Sequence, residues 1–363
     1  MYTNLAKNEE TVFVGLSGGV DSSVTAKRLI DAGKNVVGVF IKTWQPDFLV
    51  CNWEAERLDA MRVSAHLGIP FLTCDAVDTY RDAVAMYMIE EYKRGRTPNP
   101  DVMCNQQVKF GTFLNFALNH GADKIATGHY ARVHEENGVY HLLRGRDHNK
   151  DQSYFLWTLT QEQLSHTYFP IGDSQKNAVR EEAQRAGLTT STKKDSQGIC
   201  FLGEVDIKEF LSHYVTIEKG DVLDESGKII GHHDGALYYT LGQRHGFIIE
   251  TKNIASSPQY VISKDLTRNT LTVSHTPKTM HSKSITLTNG NFAIHTTRIQ
   301  CEAQFRYRQK PFLVTFEKKN DTTASLTLHD TEIEMPSNGQ SCVLYDGEQC
   351  LGGGIIDTVY ENN

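Results

Sequence analysis

The sequence SGGVDSS at residues 17–23 is the feature that most constrains how this chain can fold. An apolar run at residues 11–16 precedes it and predicts a strand, and residues 24–32 follow it with a helical pattern that ends before Gly33. Glycines let backbone N–H groups approach an anion closely, and the N-terminus of the next helix adds the positive end of its dipole. The sequence therefore predicts a phosphate-binding turn between a strand and a helix.

The first 200 residues otherwise alternate β-rich runs with helical patterns. Strands are predicted at residues 36–41, 71–74 and 124–127, and helices at residues 54–67, 79–92, 176–186 and 204–214. This alternation is typical of an α/β fold, a parallel sheet covered on both faces that binds ligands at the carboxyl ends of its strands. From about residue 215 onward, short strands with turn signals predict a small β-rich domain followed by a β-barrel.

The glycine-rich loop lacks both the Gly-Lys-Ser/Thr ending of a Walker A motif and the spacing GxGxxG. A plain glycine–serine turn, with Asp21 only capping the helix, is the structural alternative. The loop resembles the SGGxDS motif of the PP-loop ATP pyrophosphatases. That resemblance implies an adenine nucleotide alpha hydrolase-like domain that binds ATP with Mg²⁺, adenylates a substrate oxygen, and releases AMP and pyrophosphate.

The predicted ATP site combines this loop with neighbouring strand ends. Ile41, at the end of the second predicted strand, is expected to face the adenine, and Gly128 and His129 follow the fourth strand into the same crevice. Mg²⁺ is expected to come with ATP, without a metal site made by protein ligands alone. The predicted ATP-binding residues are Gly15, Leu16, Ser17, Gly18, Gly19, Val20, Asp21, Ser22, Ile41 and Gly128.

The cysteines, at positions 51, 74, 104, 200, 301, 342 and 350, are odd in number and show no CxxC spacing. This disfavours a disulfide framework and a structural zinc site. Cys104 follows Thr97-Pro98-Asn99-Pro100-Asp101, where two prolines favour an extended or turn conformation. Cys200 follows Lys193 and Lys194, whose charges can stabilise a thiolate. Because free cysteines are usually buried small hydrophobes, the other five are predicted to be inert core residues, whereas these two stand in polar surroundings.

Two segments, NPDxxC at residues 99–104 and DSxGICF at residues 195–201, carry a specific resemblance. Together with residues 126–132, 149–156, 240–244 and 351–355, they resemble the bacterial tRNA-specific 2-thiouridylases over nearly the whole chain. The resemblance implies ATP-dependent 2-thiolation of the wobble uridine, position 34, of tRNA. The predicted domains are a PP-loop catalytic domain at residues 1–205, a central β-rich tRNA-binding domain at 206–283, and a C-terminal β-barrel at 284–363.

The resemblance also implies roles for individual residues. Cys200 would receive sulfur as a persulfide from a cysteine desulfurase or a sulfur-relay protein, and Cys104 would act as nucleophile and form a transient disulfide with Cys200. Asp101 would be the general acid/base, and the target uridine would contact Asn99, Pro100 and Asp101. His129 is expected to contact the substrate because of its position after the fourth strand, and a structural histidine is the alternative. Adenylation turns the C2 oxygen of uridine into a leaving group, and a covalent relay splits one hard step into easier ones. A second thiol also allows the S–S bond of the persulfide on Cys200 to be broken by thiol–disulfide exchange.

The anticodon stem-loop of tRNA is the implied nucleic-acid partner. Lys150, Asp151 and Gln152 match the family's tRNA-contacting segment. In RYRQK at residues 306–310, cationic side chains flank a tyrosine, whose ring can stack on an extruded base. The alternative is a cationic strand that only faces solvent. The resemblance favours tRNA contacts by Arg306, Tyr307 and Gln340. Residues 247–250, FIIE, lack the glycine-rich run expected here in the family.

The net charge of the chain is −7, so the protein as a whole does not attract the phosphates of a nucleic acid, and tRNA binding would depend on local cationic clusters. The polar N-terminus and the lack of a run of about 18 apolar residues predict a cytoplasmic protein with no membrane partner. Other classes stay open. They are a PP-loop synthetase or amidotransferase acting on a small-molecule carbonyl, a non-catalytic RNA-binding protein, and a variant in which Asp101, Cys104 and Cys200 hold an iron–sulfur cluster.

Overall fold

The structure, a computed structural model, describes residues 10–49, 53–193, 207–216, 218–250, 257–280, 284–329 and 333–360. Cys51 and Cys200 lie outside these residues. The chain divides into two compact units. The first comprises Met1–Met86, Pro100–Glu204 and Tyr345–Gly352, and the second Tyr87–Asn99, Val205–Leu344 and Gly353–Asn363.

The helices and strands follow one another as the alternation of the sequence predicts. The α-helices are α1 Val20–Asp31, α2 Trp53–Leu67, α3 Val77–Tyr80, α4 Tyr87–Lys93, α5 Pro100–Met103, α6 Phe113–Asn119, α7 Gln161–Ser165, α8 Lys176–Arg185 and α9 Ile207–Ser212. Two π-helices, Arg81–Met86 and Cys104–Thr112, lie between α3 and α4 and between α5 and α6. The strands are β1 Thr11–Gly15, β2 Asn35–Lys42, β3 Phe71–Asp75, β4 Lys124–Ala126, β5 Ala131–Glu136, β6 Val139–Arg144, β7 Thr167–Tyr168, β8 Gly220–Leu223, β9 Ile229–His233, β10 Phe247–Ile249, β11 Tyr260–Asp265, β12 Thr270–Ser274, β13 Thr279–Met280, β14 Ser284–Phe292, β15 Arg298–Gln304, β16 Phe312–Lys318, β17 Ala324–Leu328, β18 Ile333–Glu334, β19 Ser341–Asp346 and β20 Gln349–Tyr360.

The first unit is built on a parallel sheet with the strand order β3-β2-β1-β4-β7. Val12, Phe13 and Val14 of β1 are at most 1% exposed, because helices cover both faces of a central parallel strand. The order of the strands reverses between β1 and β4. A crevice therefore opens at the carboxyl ends of these two strands, where ligands of such sheets bind.

The helices α1 and α8 pack together beside this sheet. Val20 and Val24 of α1 share an apolar cluster with Val179 and Ala183 of α8. An ion pair between Arg28 and Glu182, 2.6 Å long, joins the same two helices near their C-terminal ends. The relative position of α1 and α8 is thus fixed by both apolar contacts and charge.

Most of the β-rich elements that the sequence predicts lie in the second unit, while parts of β19 and β20 fall in the stretch Tyr345–Gly352 of the first. One five-stranded sheet has the order β10-β9-β8-β12-β11, and a six-stranded barrel has the order β14-β17-β16-β15-β19-β20, closed by pairing of β14 with β20. The cationic strand given as the alternative for residues 306–310 is not formed, because β15 ends at Gln304 and residues 305–310 form a turn. The FIIE segment supplies the short strand β10.

The predicted fold class, a parallel-sheet domain followed by β-rich and barrel domains, is confirmed. Among the described helices, none is long and apolar enough to cross a membrane.

Candidate active site

The loop after β1 has the backbone shape that an anion site requires. Gly18 has φ +67°, a conformation that favours glycine. A Cβ atom at Gly18 would lie 2.8 Å from Cβ of Asp59 and 3.0 Å from the carbonyl oxygen of Glu56, both on α2. Any other residue at position 18 would therefore push the loop away from α2.

Gly128 brings the end of β4 against the same loop. A Cβ atom on Gly128 would lie 2.8 Å from the backbone nitrogen of Ser22 and 2.9 Å from the carbonyl carbon of Asp21. A Cβ atom on Gly15 would lie 3.7 Å from Cδ1 of Ile41. The structure thus brings the predicted ATP-site residues from β1, β2, β4 and α1 together at one edge of the sheet, and a glycine loop at a helix N-terminus is suited to the phosphates of ATP.

The serine hydroxyls of the loop shape the turn itself. Ser23 Oγ donates to the carbonyl of Gly19 at 2.7 Å, and Ser22 Oγ donates to the same carbonyl at 3.3 Å. Ser17 N–H donates to Ser22 Oγ at 3.3 Å. These bonds hold the first turn of α1 in place beneath the loop.

Asp21 is held by two residues that the sequence analysis missed. The Nζ of Lys176 lies 2.8 Å from both carboxylate oxygens of Asp21, and the hydroxyl of Tyr130 donates to Oδ1 at 2.9 Å. Lys176 is 9% exposed and begins α8, and its backbone N–H donates to Asp147 at 2.9 Å. No local motif points to Lys176. Asp21 is therefore half of an ion pair rather than a helix cap alone, since Gly19 is the N-cap of α1.

Cys104 lies in a helix, contrary to the turn that its two neighbouring prolines suggest. The helix begins at Pro100, because proline is favoured at the first helical position, where its missing N–H is not needed. Cys104 is consequently one turn inside the helix and is only 2% exposed. Asp101 precedes it by three residues, so the two lie on the same side of the helix. Asn99, by contrast, belongs to the second unit.

Contacts connect the Cys104 helix to the loop crevice. Asn105 Nδ2 donates to the carbonyl of Phe155 at 3.1 Å, and Lys109 Nζ lies 3.5 Å from Nε2 of His129. Because an ammonium group can only donate, Nε2 accepts and Nδ1 of His129 carries the proton that it donates to Thr127 Oγ1, 2.7 Å away. Burial, aided by the charge of Lys109, holds the pKa of His129 well below its usual value. The imidazole is therefore neutral, and Lys109 is the cation at this position.

The predicted tRNA segment at residues 150–152 is tightly folded. The Asp151 carboxylate accepts from Arg144 Nη1 at 3.2 Å and from the backbone N–H groups of Gly145 and Ser153 at 3.0 Å each. Gln152 Oε1 accepts from the N–H of Tyr130 at 2.9 Å. Asp151 is 8% exposed, so its carboxylate organises the segment. Direct tRNA contact by these residues, Lys150 included, stays a prediction.

In the second unit, the cationic turn at residues 305–310 separates its charges. Arg306 pairs with Glu334 at 2.9 Å and donates to the carbonyl of Leu241 at 3.0 Å. Arg308, at φ +63°, is exposed and lies over the ring of Tyr307, 5.1 Å from its centroid. Gln340 accepts from the N–H of Ser337 at 3.0 Å, which stabilises its own turn. Of the cations in this turn, Arg308 and Lys310 are the exposed ones.

The remaining described cysteines are buried, as predicted. Burial raises the pKa of Cys74 to about 11 and that of Cys350 to about 12, so neither thiol ionises at neutral pH. Within the described part of the chain, no three His, Cys, Asp or Glu side chains group as metal ligands. The Cys200 prediction and the iron–sulfur variant fall outside the described residues. Lys193 donates to the carbonyl of Gly18 at 3.1 Å and to Asp59 at 2.9 Å, and its predicted effect on the Cys200 thiolate stays a prediction.

Three family models match successive parts of the chain. Residues 10–204 match the tRNA methyl transferase HUP domain, residues 208–275 the tRNA methyl transferase PRC-barrel domain, and residues 278–356 the aminomethyltransferase beta-barrel domain. A U34-tRNA thiolase, NcsA from Methanococcus maripaludis with its [4Fe-4S] cluster, is 16% identical and has a TM-score of 0.33, covering 50% of this chain and 58% of that one.

Curated relatives match over the full length. The tRNA-specific 2-thiouridylase MnmA of Enterococcus faecalis is 45% identical over 99% of this chain and 98% of its own. The protein of the same name from Listeria monocytogenes serotype 4b is 46% identical over 97% of this chain and 95% of its own. Because such relatives span nearly the whole chain and the three domain matches follow one another along it, this chain belongs to the tRNA-specific 2-thiouridylase family.

Proposed function

We propose that this enzyme uses ATP to replace the C2 oxygen of the wobble uridine of tRNA with sulfur. The observation that carries the proposal is the chain of contacts in the first unit between the Cys104 helix and the phosphate loop. Lys109 of that helix reaches His129, and Gly128 beside it touches the first turn of α1. These contacts support a shared crevice in which Cys104 would act as nucleophile beside the nucleotide loop.

The proposed reaction begins with attack of the uridine C2 oxygen on the α-phosphate of ATP. Pyrophosphate leaves, and its negative charge is received by the loop N–H groups and the N-terminus of α1. Asp21 is the residue that would hold Mg²⁺ bound with ATP, and the ion would supply positive charge to offset the phosphates. Adenylation makes AMP the leaving group at C2.

Sulfur then arrives through the two cysteines. Cys200 carries a persulfide, loaded by a cysteine desulfurase or a relay protein, and either its terminal sulfur or sulfide attacks C2 and expels AMP. In the direct route, attack by the terminal sulfur joins C2 to Cys200 through an S–S bond; the Cys104 thiolate then attacks the sulfur of Cys200, which releases 2-thiouridine and forms the Cys104–Cys200 disulfide. In the sulfide route, the Cys104 thiolate attacks the inner sulfur of the persulfide, which forms the Cys104–Cys200 disulfide and releases hydrosulfide. An external dithiol must then return two electrons to the disulfide. Asp101, one helical turn before Cys104, is the proposed proton donor and acceptor.

The other assignments belong to the same proposal. Residues 1–205 would form the catalytic domain, and residues 206–283 and 284–363 would bind the anticodon stem-loop through Arg306, Tyr307 and Gln340. Asn99, Pro100, Asp101 and His129 would surround the extruded uridine, with Lys150, Asp151 and Gln152 close to the tRNA backbone. Because tRNA is the substrate, we place the reaction in the cytoplasm.

Mass spectrometry of nucleosides from bulk tRNA tests the function directly. Cells without the gene are expected to lack 2-thiouridine derivatives at the wobble position, and the intact gene is expected to restore them. With purified protein, pyrophosphate release should depend on tRNA. Pyrophosphate release that depends on ammonia and a small carboxylate, and not on tRNA, would instead support a small-molecule synthetase.

The exposed cations of the 305–310 turn give a test of tRNA contact. Replacing both Arg308 and Lys310 with alanine should weaken tRNA binding and reduce the slope of log affinity against log salt by about one for each phosphate that is no longer neutralised. Arg306→Ala should change the slope less, because Glu334 already neutralises that charge. Arg94→Ala, which removes a charge 68% exposed in the second unit but outside the two proposed tRNA-binding domains, is the control. An unchanged slope in the double variant would mean that the cations of this turn face solvent and do not contact tRNA phosphates.

A further inference from the structure

Lys193 lies between the phosphate loop and α2, and its side chain donates a hydrogen bond to the loop backbone. Its ammonium donates to the carbonyl oxygen of Gly18 at 3.1 Å and to the Asp59 carboxylate at 2.9 Å. Gly18 is the loop residue with positive φ, and it packs against Glu56, Asp59 and Ala60 of α2. Lys193 therefore joins the loop to α2 at the point where the loop has its least common backbone conformation.

The peptide that carries Lys193 is itself fastened in place. Thr190 Oγ1 donates to Ser23 Oγ at 3.1 Å, so residues 190–193 bond to both ends of the SGGVDSS sequence. Arg180 of α8 donates to the carbonyls of Ser191 and Lys193 at 3.2 and 3.1 Å. This anchoring leaves the Lys193 side chain little freedom to serve a more distant group.

The charges around Lys193 are arranged to keep its bond to the loop. The hydrogen bond from Lys193 lowers the pKa of Asp59, so that carboxylate is ionised at neutral pH. Glu56, one helical turn earlier on α2, has its pKa raised by burial, while the charge of Lys193 acts in the opposite direction. The ammonium is thus compensated by α2, and it can hold the Gly18 carbonyl without leaving an excess positive charge.

The planarity of the peptide bond gives this contact a consequence for the loop. In a trans peptide the C=O of one residue and the N–H of the next point in opposite directions. When Lys193 and α2 fix the Gly18 carbonyl on one side, the N–H of Gly19 must point to the other side, away from α2. A flipped Gly18–Gly19 peptide would instead present a carbonyl oxygen to a bound phosphate, which repels it.

We propose that Lys193 is a positioning residue for nucleotide binding, which holds the Gly18–Gly19 peptide in the orientation that accepts the phosphates of ATP. This rests on the proposed use of ATP by the loop. Lys193 does not touch the phosphates in this arrangement. It acts through the backbone of Gly18, and Asp59 acts by orienting Lys193.

Calorimetry on the full-length protein without tRNA tests the proposal, with Mg·ATP and inorganic pyrophosphate as the two probes. Lys193→Met should weaken binding of both probes by about tenfold or more, because a charged donor to the carbonyl is lost. Lys193→Gln keeps a donor without charge and should bind at an intermediate level, and Lys193→Arg should recover most of the affinity. In turnover, the ATP KM should rise more than kcat falls, because the loop binds phosphate in the ground state as well.

Lys27→Met is the matched control, because Lys27 also pairs with an aspartate, Asp31 at 2.6 Å, but at the far end of α1. It should bind both probes as the parent does. The proposal is overturned if Lys193→Met and Lys193→Gln bind both probes normally and only melt at lower temperature, which a purely structural bridge would produce. If the parent binds ATP but does not thiolate tRNA, the proposed function fails and the role of Lys193 stands. If the parent binds neither probe, the loop assignment and this inference fall together.

Discussion

Replacing either Cys104 or Cys200 with alanine is expected to lower tRNA thiolation by at least about a thousandfold, at different steps of the reaction. Loss of Cys200 should prevent any persulfide from forming, because this residue receives the sulfur. Loss of Cys104 should leave the persulfide trapped on Cys200, because Cys104 acts afterwards. Sulfur-labelled cysteine with a desulfurase, followed by mass spectrometry under non-reducing conditions, would locate the label.

Cys74→Ala is the matched control for these variants. Cys74 is also a buried cysteine of the first unit, with its pKa raised by burial to about 11, and its loss should leave thiolation close to the parent rate. Neither reactive-cysteine variant should impair ATP binding, because neither residue belongs to the phosphate loop. Label on Cys104 in the Cys200→Ala protein would reverse the proposed order, and wild-type thiolation by either variant would end the two-cysteine mechanism.

The burial of Cys104 adds a structural expectation. A thiol 2% exposed should react slowly with iodoacetamide in the free protein. The transient disulfide requires the α-carbons of Cys104 and Cys200 to approach within about 7 Å. Parent protein left unreduced after turnover with tRNA should therefore contain a Cys104–Cys200 peptide pair, and its absence after many turnovers would show that Cys104 does not cleave the S–S bond to Cys200.

Breaking the ion pair between Asp21 and Lys176 is expected to abolish tRNA-dependent pyrophosphate release. Asp21→Asn removes the carboxylate that would reach Mg²⁺, and Lys176→Met leaves that carboxylate without its cation. Removing one partner of a buried pair typically destabilises a protein by about 3–5 kcal/mol, and the partial exposure of Asp21 should reduce this amount. Both single variants should therefore melt at lower temperature as well as lose activity.

The double variant Asp21→Asn with Lys176→Met separates these two effects. It should regain much of the lost thermal stability, because no unpaired charge remains, yet stay inactive in pyrophosphate release. Glu182→Gln is a second control, since it breaks the other ion pair between α1 and α8, with Arg28, far from the loop. It should lower the melting temperature and leave pyrophosphate release near the parent level. Recovery of activity in the double variant would show that the pair only holds the two helices together.

The sequence alone predicts the fold and the location of the nucleotide loop, because both depend on local pattern. The run from Val12 to Val14 is apolar at every position, which is typical of a parallel strand covered on both faces. The two glycines after it determine a sharp turn before α1. After residue 215, short strands separated by turn residues likewise predict the β-rich sheet and the barrel. The alternation of side chains along each strand, which is a local property, is enough to predict such strands.

The tertiary structure decided which side chains meet. Asp21 pairs with Lys176, 155 residues away in sequence, and with Tyr130, 109 residues away, and both contacts exist only because α1 packs on α8 and β4 ends beside the loop. Arg306 is neutralised by Glu334, and Lys193 bonds to the backbone of Gly18. Cys104 is buried because a helix begins at Pro100, although the prolines and polar neighbours favour a turn. Residue pattern specifies backbone conformation through local sterics, whereas the pairing of distant charges depends on how the elements pack, which no local pattern encodes.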